Sequence, residues 1–165
     1  MGESWNSRLS RWGFNWFPAY RSTGARIDYI AADWREVRLR LPLARRTRNY
    51  VGTIFGGSMY GAVDPIYMLM LIKILGPDFV VWDKAATIRF RRPGRSTLFA
   101  TLRLAEADLD AIRAAVEQDG KSEPRFLVEL KDEAGEVCAT CEKILSVRRR
   151  STNEPPARPG ERAAG

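Results

Sequence analysis

Residues 49–57 read Asn-Tyr-Val-Gly-Thr-Ile-Phe-Gly-Gly, and residues 58–75 read Ser-Met-Tyr-Gly-Ala-Val-Asp-Pro-Ile-Tyr-Met-Leu-Met-Leu-Ile-Lys-Ile-Leu. The first part is typical of a glycine-rich loop, and the second is almost wholly apolar apart from Asp64 and Lys73. The uncharged run between these two charges is too short to cross a bilayer core of about 30 Å. A buried central helix is therefore predicted over 58–75.

Local signals set the limits and shape of this helix. It is predicted to begin near Gly57, with Ser58 as a candidate cap, and to end at Gly76-Pro77, because glycine followed by proline is a common helix stop. Pro65 lies inside the helix, where it removes one backbone hydrogen bond and crowds the preceding turn. A kink is therefore predicted beside Asp64.

Strand-like segments lie on both sides of the helix. Strands are predicted at 26–31, 36–41, 79–90, 98–104, 126–130 and 136–147, with a shorter helix at 108–118. A hairpin turn is predicted at 132–135, and the segment 93–96 is predicted to join the strands at 79–90 and 98–104. Two strands, a long buried helix and four more strands indicate an α+β fold in which an antiparallel sheet wraps around one helix.

Composition limits the chemistry. The chain has 165 residues, a formal net charge of +7 and no histidine, and this length is typical of one domain. Without an imidazole ring there is no Ser-His-Asp or Cys-His nucleophile pair and no histidine zinc or non-haem iron site. Catalysis would have to use carboxylates, hydroxyls, backbone dipoles or a cofactor, and neither a metal site nor a cofactor is predicted.

Three regions are predicted: an N-terminal amphipathic helix within 1–19, a folded domain at 20–148 and a disordered basic tail at 149–165. Apolar residues recur at helical spacing in the first region, namely Trp5, Leu9, Trp12 and Trp16. This helix is expected to pack its tryptophans on its own domain or on a partner subunit, and a position on a membrane surface is the alternative.

The cysteines and the N-terminus bear on location. Cys138 and Cys141 are the only cysteines, and the first residues lack the features of a secretory signal. A cytoplasmic protein is expected, with no integral membrane association. Because the cysteines lie in a strand-like stretch, they are interpreted as packing residues rather than as a redox pair. Nucleic-acid binding is not expected, because no recognised motif accompanies the basic charge.

The motif Asn49-x-x-Gly52-x-x-Phe55-Gly56-Gly57, with Asp64 nine residues after Phe55, resembles the hotdog-fold thioesterases of the phenylacetate-pathway type. In that family the loop reads Asn-x-x-Gly-x-x-His-Gly-Gly, and an acidic residue follows the histidine at the same distance. The stretches at 64–65, 81–84 and 91–95 further resemble a hotdog subfamily of unassigned function. The resemblance implies a hotdog fold and a homo-oligomer, either a dimer or a dimer of dimers, with the site between subunits. It also implies an acyl-CoA or related thioester as substrate.

Candidate roles follow for the motif residues. Gly57, at a helix N-terminus, offers a backbone N–H and the positive end of the helix dipole to a developing oxyanion. Asp64, the one carboxylate of the apolar helix, is the candidate base or nucleophile, and Asn49 is placed to position water or that carboxylate. Phe55, Gly56 and Ser58 are candidate substrate-binding residues.

Two features leave alternatives open. Phe55 stands where the thioesterase motif has histidine and cannot make its hydrogen bonds, so a module that binds acyl-CoA or fatty-acyl groups without hydrolysing them remains the alternative function. Asp64 could instead pair with an arginine across a dimer interface.

Arg92 and Arg95 are the candidate ligands for the phosphates of coenzyme A, and Asp83 and Lys84 are expected to form an interfacial ion pair.

Overall fold

The computed structural model describes residues 2–151 of the chain. Its helices are α1 (Trp5–Trp16), α2 (Pro18–Ser22), α3 (Gly56–Val63), α4 (Ile66–Leu75) and α5 (Glu106–Asp119). Its strands are β1 (Arg26–Ile30), β2 (Glu36–Leu41), β3 (Phe79–Phe90), β4 (Leu98–Arg103), β5 (Lys121–Ser122), β6 (Arg125–Lys131) and β7 (Val137–Arg149). The predicted bounds of β2 and β3 are those of the structure, and β5 was not predicted.

The strands form one antiparallel sheet in the order β1-β2-β4-β6-β7-β3, with β5 paired to β7. The long β3 pairs with β7 from Phe79↔Arg149 to Phe90↔Ala139. It therefore forms one end of the sheet, and β1 forms the other. The prediction of an α+β fold with an antiparallel sheet is confirmed.

The helices α3 and α4 supply the centre of the core. Met59, Val63, Ile66, Met70 and Leu71 are all buried in the hydrophobic cluster that they form with the inward side chains of the strands. By length and composition alone, the span 56–75 could also cross a membrane. Its packing inside the sheet is that of the predicted central helix.

The central helix breaks at Asp64–Pro65, so the predicted kink is confirmed. Pro65 has no N–H to continue the hydrogen-bond ladder, whereas the N–H of Asp64 still reaches the carbonyl of Tyr60 at 2.9 Å. The prediction of Ser58 as the cap is wrong: α3 begins at Gly56, its N-cap is Phe55, and no side chain caps it. The helix therefore begins one residue before the predicted start near Gly57.

Both ends of the folded region differ from the predicted limits. Pro18, predicted only to end the first helix, also occupies the first turn of α2, where proline needs no N–H partner. The last strand runs to Arg149, and the N–H of Arg150 donates to the carbonyl of Asp78 at 2.7 Å. The chain thus stays attached to the sheet beyond residue 148, and the rest of the predicted tail, 152–165, lies outside the described residues.

The tryptophans of α1 do not pack on their own domain. Trp5, Trp12 and Trp16 are exposed, and the buried side of the helix carries Ser7 instead. Helical spacing shows that two faces of a helix differ, but it does not show which face meets the sheet.

Candidate active site

The loop before α3 is closed by Asn49. Its side-chain amide donates to Thr53 Oγ1 at 2.9 Å, and its side-chain oxygen accepts the N–H of Thr53 at 3.0 Å. The backbone N–H of Asn49 also donates to the carbonyl of Thr53, and Gly52 has a φ of +86° in the turn between them. All of these bonds of Asn49 go to Thr53, so its observed role is to shape the loop.

Two backbone hydrogen bonds fix this loop against its neighbours. The N–H of Phe55 donates to the carbonyl of Thr47 at 2.7 Å, and the N–H of Ile54 donates to the carbonyl of Gly94 at 2.9 Å. The second bond brings the turn after β3 beside the start of α3. The arginine-rich end of β3 therefore lies next to the glycine pair.

Gly56 and Gly57 each lie against an aromatic ring. A Cβ on Gly56 would come within 2.7 Å of Phe90 Cζ, and one on Gly57 would overlap the ring of Phe55. The N–H groups of Ser58 and Met59 both donate to the carbonyl of Phe55, at 3.0 and 3.1 Å. The N–H of Gly57 has no acceptor among residues 2–151, so it remains free for an oxygen of a ligand.

Asp64 is paired within its own chain. Lys143 Nζ donates to Asp64 Oδ1 at 2.5 Å and lies 2.9 Å from Asp83 Oδ1. The Lys143 side chain is fully buried, whereas those of Asp64 and Asp83 are 38% and 26% exposed. The ion pair considered for Asp64 therefore exists, but with a lysine of β7 rather than with an arginine of a partner subunit.

Asp83 and Lys84 have different partners instead of forming one ion pair. Lys84 Nζ lies 2.6 Å from Glu123, and Asp83 faces Lys143. Asp83 Oδ1 is buried and its geometry to the ammonium is too poor for a hydrogen bond. In the cluster of Asp64, Asp83 and Lys143, two carboxylates thus share one buried cation.

Burial governs the ionisation of this cluster. Burial raises the pKa of Asp83 and outweighs the nearby ammonium. Burial by itself would lower the pKa of Lys143, but the hydrogen bond to Asp64 and the negative charges of Asp64 and Asp83 raise it above its ordinary value. Lys143 is therefore cationic at neutral pH.

Two neutral groups adjoin the cluster. Burial, and then a hydrogen bond with Asp64, raise the pKa of Tyr60 to about 12, and its ring lies 5.5 Å from Lys143 Nζ. Burial raises the pKa of Cys141 to about 11, so its thiol is protonated at neutral pH and is a poor nucleophile. On the central helix, Asp64 is therefore the partly exposed acid that lies beside the Lys143 ammonium.

Gly57 and Asp64 do not meet within one chain. They lie seven residues apart on α3, which corresponds to roughly 10 Å along a helix axis. A thioester carbonyl that accepts a hydrogen bond from Gly57 would therefore be out of reach of Asp64 of the same chain.

The arginines near the loop differ in whether they form an ion pair. Arg92 Nη1 is 2.7 Å from Glu136 Oε2, whereas Arg95 is exposed and has no ion pair among the described residues. The same holds for Arg89 and Arg91, and for three arginines that the prediction missed: Arg45, Arg46 and Arg48. The signal was present as Arg-Arg-x-Arg at 45–48, directly before the loop.

Lys143 and Tyr60 were also missed. The inward positions of β7 are Cys141, Lys143, Leu145 and Val147, and a lysine in such a set points to a buried acid opposite it. Within residues 2–151, no three cysteine or acidic side chains are grouped in a way that could hold a metal ion.

Comparison with known proteins identifies a matching family and several solved structures that are similar to this chain. Residues 6–147 match the family described as a domain of unknown function, DUF4442. A Pseudomonas aeruginosa protein, described as of unknown function and a "probable thioesterase", is 25% identical with a TM-score of 0.77, over 91% of this chain and 99% of that one. A thioesterase from Haemophilus influenzae is 16% identical with a TM-score of 0.64, over 86% and 91% of the two chains. No curated protein matches the sequence significantly.

Proposed function

Because this chain belongs to the DUF4442 family and has the hotdog fold that its motif led us to expect, we propose that it hydrolyses acyl-CoA thioesters. The observation that carries the proposal is the free N–H of Gly57 at the start of α3, on the same helix as the carboxylate of Asp64. The solved relatives described as thioesterases support a reaction of this type.

Gly57 would stabilise the transition state. Attack on the thioester carbonyl places negative charge on its oxygen, and the Gly57 N–H and the helix dipole both favour that charge. One such donor is worth about 3 kcal/mol in mutational experiments on other enzymes. The absence of a side chain lets the carbonyl oxygen approach the backbone closely.

Asp64 would act on water or on the carbonyl carbon. Lys143 occupies Oδ1, which leaves Oδ2 of this partly exposed carboxylate for the water proton. The water oxygen bonds to the carbonyl carbon, the tetrahedral intermediate collapses, and the thiolate of coenzyme A leaves and takes up the proton. Lys143 would hold the carboxylate at one position through these steps.

We propose that two chains complete each site. The separation of Gly57 and Asp64 supports a site in which one chain gives the N–H and its partner gives the carboxylate. The strand β3 offers a surface for this pairing, because within the described residues it pairs only with β7 and it exposes Trp82 and Phe90. An unpaired strand edge of this kind favours association with another chain.

The exposed arginines around the loop would bind the phosphates of coenzyme A. Arg46, Arg48 and Arg95 lie on the two segments joined by the bond between Ile54 and Gly94, and guanidinium groups suit phosphate oxygens. Arg92 is a weaker candidate, because Glu136 already neutralises it. Phe55, with its exposed ring beside Gly57, would form an apolar wall for the acyl or pantetheine chain.

A second candidate function is the binding of acyl-CoA without hydrolysis. Phe55 in place of histidine favours it, and so does the hydrogen bond from Lys143, which already occupies one oxygen of Asp64. This alternative keeps the Gly57 amide and the arginines as ligands of a bound thioester.

Thiol release from acyl-CoAs of graded chain length distinguishes the two functions. We expect Asp64→Asn to lower kcat at least about 100-fold, because Asn can still accept the Lys143 hydrogen bond but cannot take a proton. Asp119→Asn is the matched control, since Asp119 is exposed at the end of α5. Unchanged turnover in Asp64→Asn contradicts the assignment of Asp64. Binding of acyl-CoA in calorimetry without thiol release from the wild type establishes the alternative.

A further inference from the structure

The N-terminal helix α1 packs on the sheet with its polar side. Ser7 is fully buried, and Asn15 makes two hydrogen bonds to the backbone of Ile27 in β1, at 2.9 and 2.8 Å. Arg11 and Glu3 pair at 2.7 Å. Asn15 therefore attaches the helix to β1, together with Phe14, which packs against the core.

The opposite side of α1 is an exposed apolar surface. The residues of this tryptophan face are Trp5, Leu9, Trp12, Trp16 and Phe17, each more than half exposed. Spacings of four, three and four place the first four on one stripe of the helix. With aromatic side chains of about 150–250 Å² each, the exposed area is roughly 500 Å², at the upper end for the largest patch on a monomeric protein.

The tryptophan face is held rigidly. A capping box between Ser4 and Ser7 starts α1, and the N–H of Phe17 closes its end on the carbonyl of Gly13 at 2.9 Å. The aromatic side chains are therefore presented together on a fixed helix, and little ordering entropy would be lost when they bind a surface.

The charges around the tryptophan face are positive. Arg8 borders the stripe and is 59% exposed, with its Nε 3.9 Å from Glu3 Oε2, and the guanidinium of Arg21 stacks on Trp16 at 4.8 Å. Within residues 2–26 the only acid is Glu3, and it is largely buried and paired with Arg11. Any partner of this face therefore meets exposed cations and no exposed carboxylate of this segment.

From these observations we propose that the tryptophan face docks the protein on the surface of an anionic lipid bilayer. Indole rings favour the boundary between headgroups and acyl chains, and the bordering guanidinium groups complement anionic headgroups. The helix lies against β1, at the end of the sheet opposite β3. Docking would thus leave the β3 edge free for the pairing of two chains.

A second copy of the chain fits this face less well. A two-fold contact would bring the exposed arginines of both copies to one interface with no exposed acid of α1 to compensate them. The area is also below the roughly 800 Å² per partner of a standard stable interface. Neither objection applies to a lipid surface.

The test is sedimentation of the full chain with vesicles of phosphatidylcholine alone or with phosphatidylglycerol added. We expect binding to the anionic vesicles, at least tenfold weaker binding to the neutral ones, and a blue shift of tryptophan fluorescence on binding. Trp5→Ser with Trp12→Ser should weaken anionic vesicle binding at least tenfold. Leu9→Ser should weaken it as well, whereas the matched control Leu127→Ser, at an exposed leucine of β6, should not.

Three results overturn the proposal. They are failure of the wild type to bind anionic vesicles, equal binding by the tryptophan variant, and a lower oligomer mass of that variant in light scattering, which would make the face a subunit interface. Circular dichroism confirms that each variant is folded. The readout does not involve hydrolysis, so its failure would leave the proposed activity untouched.

Discussion

Replacing Lys143 by methionine should destabilise the fold strongly, because it leaves the carboxylates of Asp64 and Asp83 without their cation. The ammonium lies 2.5 and 2.9 Å from the two acids and is fully buried. Removal of one member of a buried ion pair costs about 3–5 kcal/mol in other proteins. Because both carboxylates keep some contact with water, we expect a loss near about 3 kcal/mol. Methionine has a similar length, so a large cavity is not expected to contribute.

Urea unfolding followed by circular dichroism measures this loss. With a slope of about 2 kcal/mol per molar, the midpoint should fall by about 1.5 M. The control is Lys84→Met, which removes a cation from an exposed pair with Glu123 and should cost no more than about 1 kcal/mol. Equal losses in the two variants at pH 7 would refute the structural role of the buried cluster.

The pH dependence gives a second check on Lys143. Its pKa is raised in the folded state above the ordinary 10.5, so its stabilisation is fully present below that pH and is lost as the pH rises through the folded value. Lys143→Met should lack this alkaline loss. Burial already raises the pKa of Asp83, and loss of the cation raises it further. The stability deficit of the variant should therefore shrink as the pH falls and Asp83 becomes protonated.

Two further predictions concern the proposed reaction. Phe55→His should raise thiol release by about 100-fold and introduce a pH dependence near the imidazole pKa of about 6.5; a rate that stays flat between pH 5 and 8 would contradict the role given to this position. Replacement of Arg46 and Arg95 by glutamine should raise KM for an acyl-CoA about tenfold and leave KM for the matching N-acetylcysteamine thioester, which lacks the phosphates, unchanged. An equal rise for both substrates would refute phosphate binding by these arginines.

Much of the fold could be predicted because its signals are local. The alternation of Glu36–Leu41 requires only residues two apart, and the kink at Pro65 follows from one missing N–H. The orientation of α1 could not be predicted from spacing, because Asn15 faces the sheet through hydrogen bonds to the backbone of Ile27, which only the fold brings within reach. The apolar stripe alone predicted the reverse packing.

The candidate site was partly predictable for the same reason. Gly57 and Asp64 lie on one continuous segment, so their spacing on the helix could be derived from the motif. Lys143 is 79 residues from Asp64, and no local pattern specifies that β7 passes beside the kink. Asn49 was assigned a chemical role, whereas its side chain closes the loop on Thr53, because a short loop satisfies its polar groups internally.

The separation of 79 residues between Asp64 and Lys143 has a consequence for the folding kinetics. The bond between Lys143 and Asp64 can form only once the broken helix lies against β7, the last strand along the chain. Contacts between such distant segments tend to form late on the folding pathway. The cluster should therefore act on the lifetime of the native state more than on the speed of folding: its loss should accelerate unfolding while the refolding rate changes little.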